Sequence, residues 1–195
     1  MTTVLVDLDG IVADLHNPWV GWINDTFYPG SFGFSVEDIT KYKIEDCVEP
    51  RIGRAIYGFL NREGCYASLP PLPGALEALK WLHDAGFEII IVSAPAHSAL
   101  TAADKLVWVH HHLPWLKRQD IFLGHRKEML KADAIIDDSP DILNKYRLAW
   151  PYARCIAIDW PFNREVTVHC RALDYRDTTK AWQQIVDFLT TGSSA

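Results

Sequence analysis

The sequence predicts an α/β fold, a doubly wound, Rossmann-like parallel sheet with a small, mainly helical cap inserted after the first strand. Short apolar runs recur along the chain, several continuously apolar rather than alternating, as strands buried on both faces require. Helical patterns lie between them, and regular alternation of strand and helix builds layered α/β domains. A long stretch, residues 15–72, breaks that rhythm: it carries no convincing buried strand and is rich in aromatic side chains. With 195 residues the chain can bury one good core and carry a modest insertion, but not two full-sized domains.

Taken in order, strands are expected at Val4–Leu8, Glu88–Val92, Asp120–Leu123, Ala134–Ile136 and Cys155–Ile158. A helix over Ala75–Ala85 places Leu76, Leu79 and Leu82 on one side and has Gly86 as its stop. Further helices are expected over Leu100–His112, Asp141–Trp150 and Thr179–Leu189. The insertion contains Trp19, Trp22, Phe27, Tyr28, Phe32, Phe34, Tyr42, Tyr57 and Phe59. Its return is marked by Leu69-Pro70-Pro71-Leu72-Pro73-Gly74, whose prolines stiffen a hinge. The expected division is a core of residues 1–14 and 73–195 and a cap of residues 15–72. The last four residues, 192–195, read as a frayed tail.

Apolar residues at 49% and charged residues at 23% are ordinary for a globular protein. A net charge of −6 argues against a basic footprint for a nucleic-acid polymer. No basic segment precedes Thr2–Val6, and no apolar stretch reaches the length of about 18 residues that a membrane span needs. A soluble, cytoplasmic protein without membrane attachment is the expectation. Cys47, Cys65, Cys155 and Cys170 form no close pair in sequence, so reduced thiols are expected.

The chemistry concentrates at the predicted strand ends. The first strand runs into Asp7-Leu8-Asp9-Gly10, and period-two geometry puts both acids on one side. Ligands of open α/β sheets bind at the carboxyl ends of strands, where these acids fall. Two close carboxylates repel unless a cation or shared proton intervenes, so a hard divalent metal is the natural third party. The second strand ends in Ser93-Ala94-Pro95. The fourth ends in Asp137-Asp138-Ser139-Pro140, where one member can also cap the next helix, with Lys127 upstream in His125-Arg126-Lys127. Lys105 lies four residues after Thr101 and could reach a phosphate, with a solvated surface position as the competing reading. His110-His111-His112 cannot converge on one ion, because consecutive helical residues point about 100° apart.

This order, Asp-x-Asp, then a hydroxyl, then Lys, then an acidic pair, resembles the four motifs of the haloacid dehalogenase superfamily, including a mobile helical cap between the first and second. A narrower resemblance is to the 5′(3′)-deoxyribonucleotidases. It rests on Asp7-Leu8-Asp9-Gly10-Ile11-Val12-Ala13-Asp14, on Lys105 to Trp108, on Ala132-Asp133-Ala134-Ile135-Ile136-Asp137-Asp138-Ser139-Pro140-Asp141, and on Pro161-Phe162-Asn163-Arg164. Three positions depart from the animal enzymes. Leu15 replaces an aromatic that helps hold the base, Ala94 replaces a hydroxyl residue, and His125 replaces an arginine.

The resemblance implies that Asp7 attacks phosphorus and that Asp9 protonates the leaving oxygen and then activates water. Retention of Asp9 favours a phosphatase over a dehalogenase. Mg²⁺ is implied at Asp7, the main-chain carbonyl of Asp9, and Asp138 with Asp137 beside it. Ser93 and Lys127 are implied to bind the phosphoryl group, with the amides of Gly10 and Ile11 as added donors. Leu15, Trp19, Trp22, Ala94 and Lys105 are the candidate substrate contacts. The expected substrate is a nucleoside monophosphate, with another small metabolite such as a sugar phosphate as the alternative. A non-catalytic phosphate-binding domain is disfavoured by retention of every catalytic carboxylate. The oligomeric state is left open, a homodimer included.

Overall fold

The computed structural model describes residues 1–30, 33–95 and 99–191; Phe32 and the 192–195 tail lie outside them. Strands β1 (Thr3–Val6), β2 (Glu88–Ser93), β3 (Ile121–Leu123), β4 (Ala134–Ile136), β5 (Arg154–Ile158) and β6 (Cys170–Ala172) form a 6-stranded sheet in the order β3-β2-β1-β4-β5-β6. Every pairing is parallel. The helices are α1 (His16–Phe27), α2 (Ala75–Asp84), α3 (Ala99–His112), α4 (Pro140–Ala149) and α5 (Thr178–Thr191). Strand order reverses at β1, so successive right-handed crossovers place helices on opposite faces of the sheet.

The period of two is visible in the core. Val4 and Val6 of β1, Ala134 and Ile136 of β4, and Ile156 and Ile158 of β5 pack with Leu79 of α2, Trp108 of α3 and Trp182 of α5. Their neighbours Leu5, Ile135, Cys155 and Ala157 belong to a second cluster with Leu143 and Tyr146 of α4. Both faces of the central strands are therefore apolar, which is why the sequence shows continuous runs there.

Two expectations are corrected. A sixth strand, β6, was not foreseen: Cys-Arg-Ala is too short and polar to read as a buried run, and it pairs only with β5 at the sheet edge. The first strand stops at Val6 rather than Leu8. Asp7 N still donates to Ile136 O at 2.9 Å, but Val12 N and Ala13 N both turn back onto Leu8 O, at 2.9 and 2.8 Å. Elsewhere helix ends move by a residue or two. Ser139 caps α4, accepting from Ile142 N, with Pro140 in the first turn. All four cysteines are free.

The insertion is helical as expected, with α1 followed by short 3₁₀ turns at Val36–Asp38, Ile44–Asp46 and Gly53–Gly58. Its interior, including Trp19, Ile23, Ile39 and Ile56, is continuous with the first core cluster. Its two crossings to the sheet are bonded side by side: Asp14 N donates to Pro70 O and Leu72 N to Val12 O, both at 2.8 Å. Trp108 Nε1 donates to Leu69 O at 2.7 Å and fixes the returning segment to α3.

Leu143 and Leu148 share α4, but Leu143 is fully buried and Leu148 is 77% exposed. Leu143→Ala should cost about 2–5 kcal/mol in a denaturant titration, whereas Leu148→Ala should stay within about 0.5 kcal/mol of wild type.

Candidate active site

β1 lies between β2 and β4, so Asp7, Ser93 and Asp137 emerge side by side at the point where strand order reverses. Lys127 reaches them from a short 3₁₀ turn, Lys127–Met129. Its Nζ lies 2.7 Å from Asp7 Oδ1 and 2.7 Å from Asp137 Oδ2. Burial works against the ammonium, but the Asp137 and Asp7 carboxylates outweigh it and hold the Lys127 pKa above its usual value. The other Asp137 oxygen accepts from Ser139 N at 2.8 Å, so both of its oxygens are engaged. Burial pushes the Asp137 pKa up to about 6, with Asp7 adding to the rise and Lys127 opposing it.

Asp138 is raised well above the carboxylate range by burial, then by the charges of Asp7 and Asp137. Carboxylate oxygens of Asp7, Asp137 and Asp138 all lie within 4.8 Å of one another. Gly10 leaves the room that this requires. Its φ is +71°, and a Cβ there would sit 2.7 Å from Asp138 Oδ2 and 2.8 Å from His16 Cε1. Buried, clustered oxygen donors destabilised by mutual repulsion fit a hard divalent cation.

Asp9 is held separately. Its Oδ2 accepts from Lys105 Nζ at 2.5 Å, and its Oδ1 is buried with no hydrogen-bond partner among the described residues. Burial raises the Asp9 pKa and Asp7 adds to it, against the opposing pull of Lys105. Lys105 is only 1% exposed, which removes the solvated reading of this residue. Its ammonium also donates to Ser93 Oγ and Ala94 O, each at 2.8 Å, and lies 4.7 Å over the Tyr66 ring. Ser93 is fully buried, and accepting from Lys105 leaves its own O–H for an acceptor.

The proposed main-chain donors need correction. Gly10 N donates to Ala13 O at 2.8 Å and Ile11 N to Leu8 O at 3.4 Å, so the tight turn after Asp9 already uses both amides. The carbonyls of the same residues are pinned by indoles, Gly10 O by Trp160 Nε1 at 2.9 Å and Ile11 O by Trp182 Nε1 at 3.2 Å.

A cavity of about 610 Å³ opens over these groups. Asp7, Asp9, Asp138 and Lys127 form one wall. Leu15, Trp19, Tyr42, Tyr57 and Leu60 of the insertion supply an apolar part of the lining, Ala94 and His125 also line it, and Arg126, Glu128, Asp141 and Lys145 add charged groups. Trp22 is not in the lining: it packs inside the insertion against Phe27 and Phe59, with ring centroids 5.6 and 6.0 Å away. Trp19 is largely consumed in the same way, its Nε1 donating to Ile56 O at 2.8 Å. A groove of about 680 Å³ between α2 and α5 is larger, but Glu77 and Asp187 are the titratable residues in its lining.

Sequence reasoning missed Tyr57, Leu60, Asn163 and His16. Asn163 is fully buried and its Nδ2 donates to the main-chain oxygens of Asp138 and Ile158, at 3.2 and 3.0 Å. His16, at the start of α1, is 5% exposed, packs against Trp160 at 4.4 Å, and leaves Nδ1 without a partner among the described residues. An unpaired buried nitrogen costs about 1–3 kcal/mol. Tyr57 and Leu60 share one face of a turn by their spacing of three, which the density of aromatics around them obscured.

Residues 1–189 match the family model described as 5′ nucleotidase, deoxy (Pyrimidine), cytosolic type C protein. The chain belongs to this nucleotidase family. A putative 5′(3′)-deoxyribonucleotidase of Bordetella bronchiseptica is 29% identical over 185 residues, 94% of each chain. The 5′(3′)-deoxyribonucleotidase of Clostridium acetobutylicum is 28% identical over 187 residues, 96% of this chain and 98% of that one. In fold the chain is similar to a HAD family hydrolase of Deinococcus radiodurans R1 solved with bound phosphate and sodium. That match has a TM-score of 0.62 at 14% identity, covering 95% of this chain and 97% of that one. As a member of this nucleotidase family the chain is a phosphatase, and it has the fold of the HAD hydrolases. No helix among the described residues is long and apolar enough to cross a membrane.

Burial lowers the His16 pKa from its usual 6.5 to about 4. A depressed folded-state value means that the native state resists protonation. The contribution to stability is complete above about pH 6.5 and is lost as pH falls toward 4. Wild type should therefore lose roughly 3 kcal/mol more than His16→Phe between pH 7 and pH 4, read as the difference between two unfolding curves. Parallel curves would contradict the buried neutral imidazole.

Proposed function

We propose that the chain hydrolyses (deoxy)nucleoside monophosphates by way of an aspartyl phosphate on Asp7, with Mg²⁺. The observation that carries the chemistry is the unequal treatment of two neighbouring acids. Asp7 Oδ1 is held by the buried Lys127 and by Leu8 N, whereas Asp9, paired through Oδ2 with the buried Lys105, keeps Oδ1 without a partner among the described residues and has a raised pKa. Environments that differentiate two carboxylates are the usual basis of nucleophile and acid roles.

Asp7 Oδ1 accepts from Leu8 N at 2.8 Å and faces Lys127, which leaves Oδ2 as the attacking atom. Oδ2 forms a bond to phosphorus as the ester P–O bond breaks, and protonated Asp9 gives its proton to the departing alkoxide. Asp9, now ionised, takes a proton from water as that water attacks phosphorus. The bond to Asp7 breaks, phosphate leaves and both acids return to their starting states. Ser93 O–H and Lys127 stabilise the phosphoryl oxygens. Asp7, Asp138 and the Asp9 carbonyl would hold Mg²⁺, with Asp137 beside them. When bound, the ion supplies positive charge that lets one anion approach another.

With Asp9 protonated, the carboxylates of Asp7, Asp137 and Asp138 face two buried ammonium groups here, an excess of negative charge that a divalent cation offsets. Residues 15–72 act as the cap over a catalytic core of residues 1–14 and 73–195, in a cytoplasmic enzyme. The apolar lining from the insertion suits a flat nucleobase better than a polyhydroxylated sugar, and that contrast favours nucleotides. Trp19 is committed to the insertion's interior, so Tyr57 is the aromatic proposed to face the base.

Phosphate release should be fastest from deoxynucleoside monophosphates in a panel that includes sugar phosphates, should vanish with a chelator and should return with Mg²⁺. A sugar phosphate as the best substrate would overturn the nucleotide reading, and full activity in chelator would overturn the metal. Tyr57→Ala should weaken nucleotide hydrolysis by about 5- to 150-fold, from a stacking contribution of about 1–3 kcal/mol, and spare an aryl phosphate.

A further inference from the structure

We infer that His16 is an outer-sphere residue of the metal site, its imidazole accepting a hydrogen bond from a water in the coordination shell of the cation held at Asp138. The inference rests on the magnesium reading above. His16 lines the same cavity as Asp7, Asp9 and Asp138. Its Cε1 and Asp138 Oδ2 converge on one point, the position a Gly10 Cβ would take, at 2.8 and 2.7 Å. Cε1 lies between the two ring nitrogens, so the edge of the ring that carries them faces Gly10 and Asp138.

On this edge the protein leaves Nδ1 buried and without a partner among the described residues. Trp160 and Phe162 pack on the ring at centroid distances of 4.4 and 5.5 Å and fix its plane. The Trp160 indole N–H is spent on Gly10 O. A buried nitrogen held rigidly and left unpaired, beside the carboxylate of a cation site, is placed for a ligand that arrives with the cation. Mg²⁺ prefers oxygen ligands and keeps several of its waters, so the contact runs through water rather than directly to the metal. Water polarised by a cation is a strong donor, and an unprotonated imidazole nitrogen is an acceptor for it. Groups that hydrogen-bond to a metal's ligands in this way typically change metal affinity by about 10- to 100-fold.

The test is calorimetric titration of MgCl₂ into the metal-free wild type, His16→Phe and His16→Asn, with the melting temperature of each metal-free protein measured alongside. Phe keeps the ring packing and removes the nitrogen. Asn loses the packing but can place an amide oxygen near the position of Nδ1. Two opposite rankings are expected: Phe melts at or above wild type but binds Mg²⁺ about 10-fold or more weakly, whereas Asn melts lower yet binds Mg²⁺ more tightly than Phe. Wild-type affinity in His16→Phe would overturn the inference and leave the magnesium reading standing. Variants that lose stability and affinity in the same order would show a purely structural histidine, which also overturns it. Failure of the wild type to bind Mg²⁺ at all would sink both readings.

Discussion

Four acidic side chains crowd the ends of two adjacent parallel strands, where burial leaves their charges weakly screened, and most of the site's construction follows from the repulsion between them. Lys127 bridges Asp7 and Asp137, and Lys105 ties Asp9 to Ser93 and Ala94. The two lysines are buried and divide the acids into two sets. Asp138 has neither lysine as a direct partner, and burial together with the charges of Asp7 and Asp137 raises its pKa. The unbalanced charge thus falls where a cation is proposed to sit.

Holding charges this close requires a rigid frame. The turn after Asp9 closes on itself through Leu8 O, and Trp160 and Trp182 pin its carbonyls from across the fold. Asn163 does the same for the main chain of Asp138. These contacts come from residues more than a hundred positions away for the two tryptophans, so the nucleophile loop is a tertiary product of the whole sheet. The insertion is joined to this frame by paired backbone bonds at residues 12–14 and 70–72, and its side chains line the same cavity as the acids.

Much of this was legible in sequence because strand ends advertise themselves. An apolar run that stops at paired acids, as at Asp7 and Asp137, states both the element and its chemistry, and the apolar continuity of the central strands follows from having a core on each face. What stayed hidden depends on the path of the chain between elements. Nothing local distinguishes Lys105 from a solvated helical lysine; its burial is decided by Asp9 and Tyr66, far away in sequence. Trp22 and Tyr57 look equivalent as aromatics in one insertion, yet one packs inward and the other lines the cavity. His16 reads as an unremarkable helix-starting residue until Gly10 and Asp138 are brought against it.

The account turns on Asp7 as the group that bonds to phosphorus. Its most direct test is acid quenching of the enzyme during turnover of a radiolabelled deoxynucleoside monophosphate with Mg²⁺, followed by peptide mapping. The account predicts protein-bound label on the peptide that contains Asp7, and none in Asp7→Asn. Label at another residue, or undiminished turnover in Asp7→Asn without any protein-bound label, would contradict it.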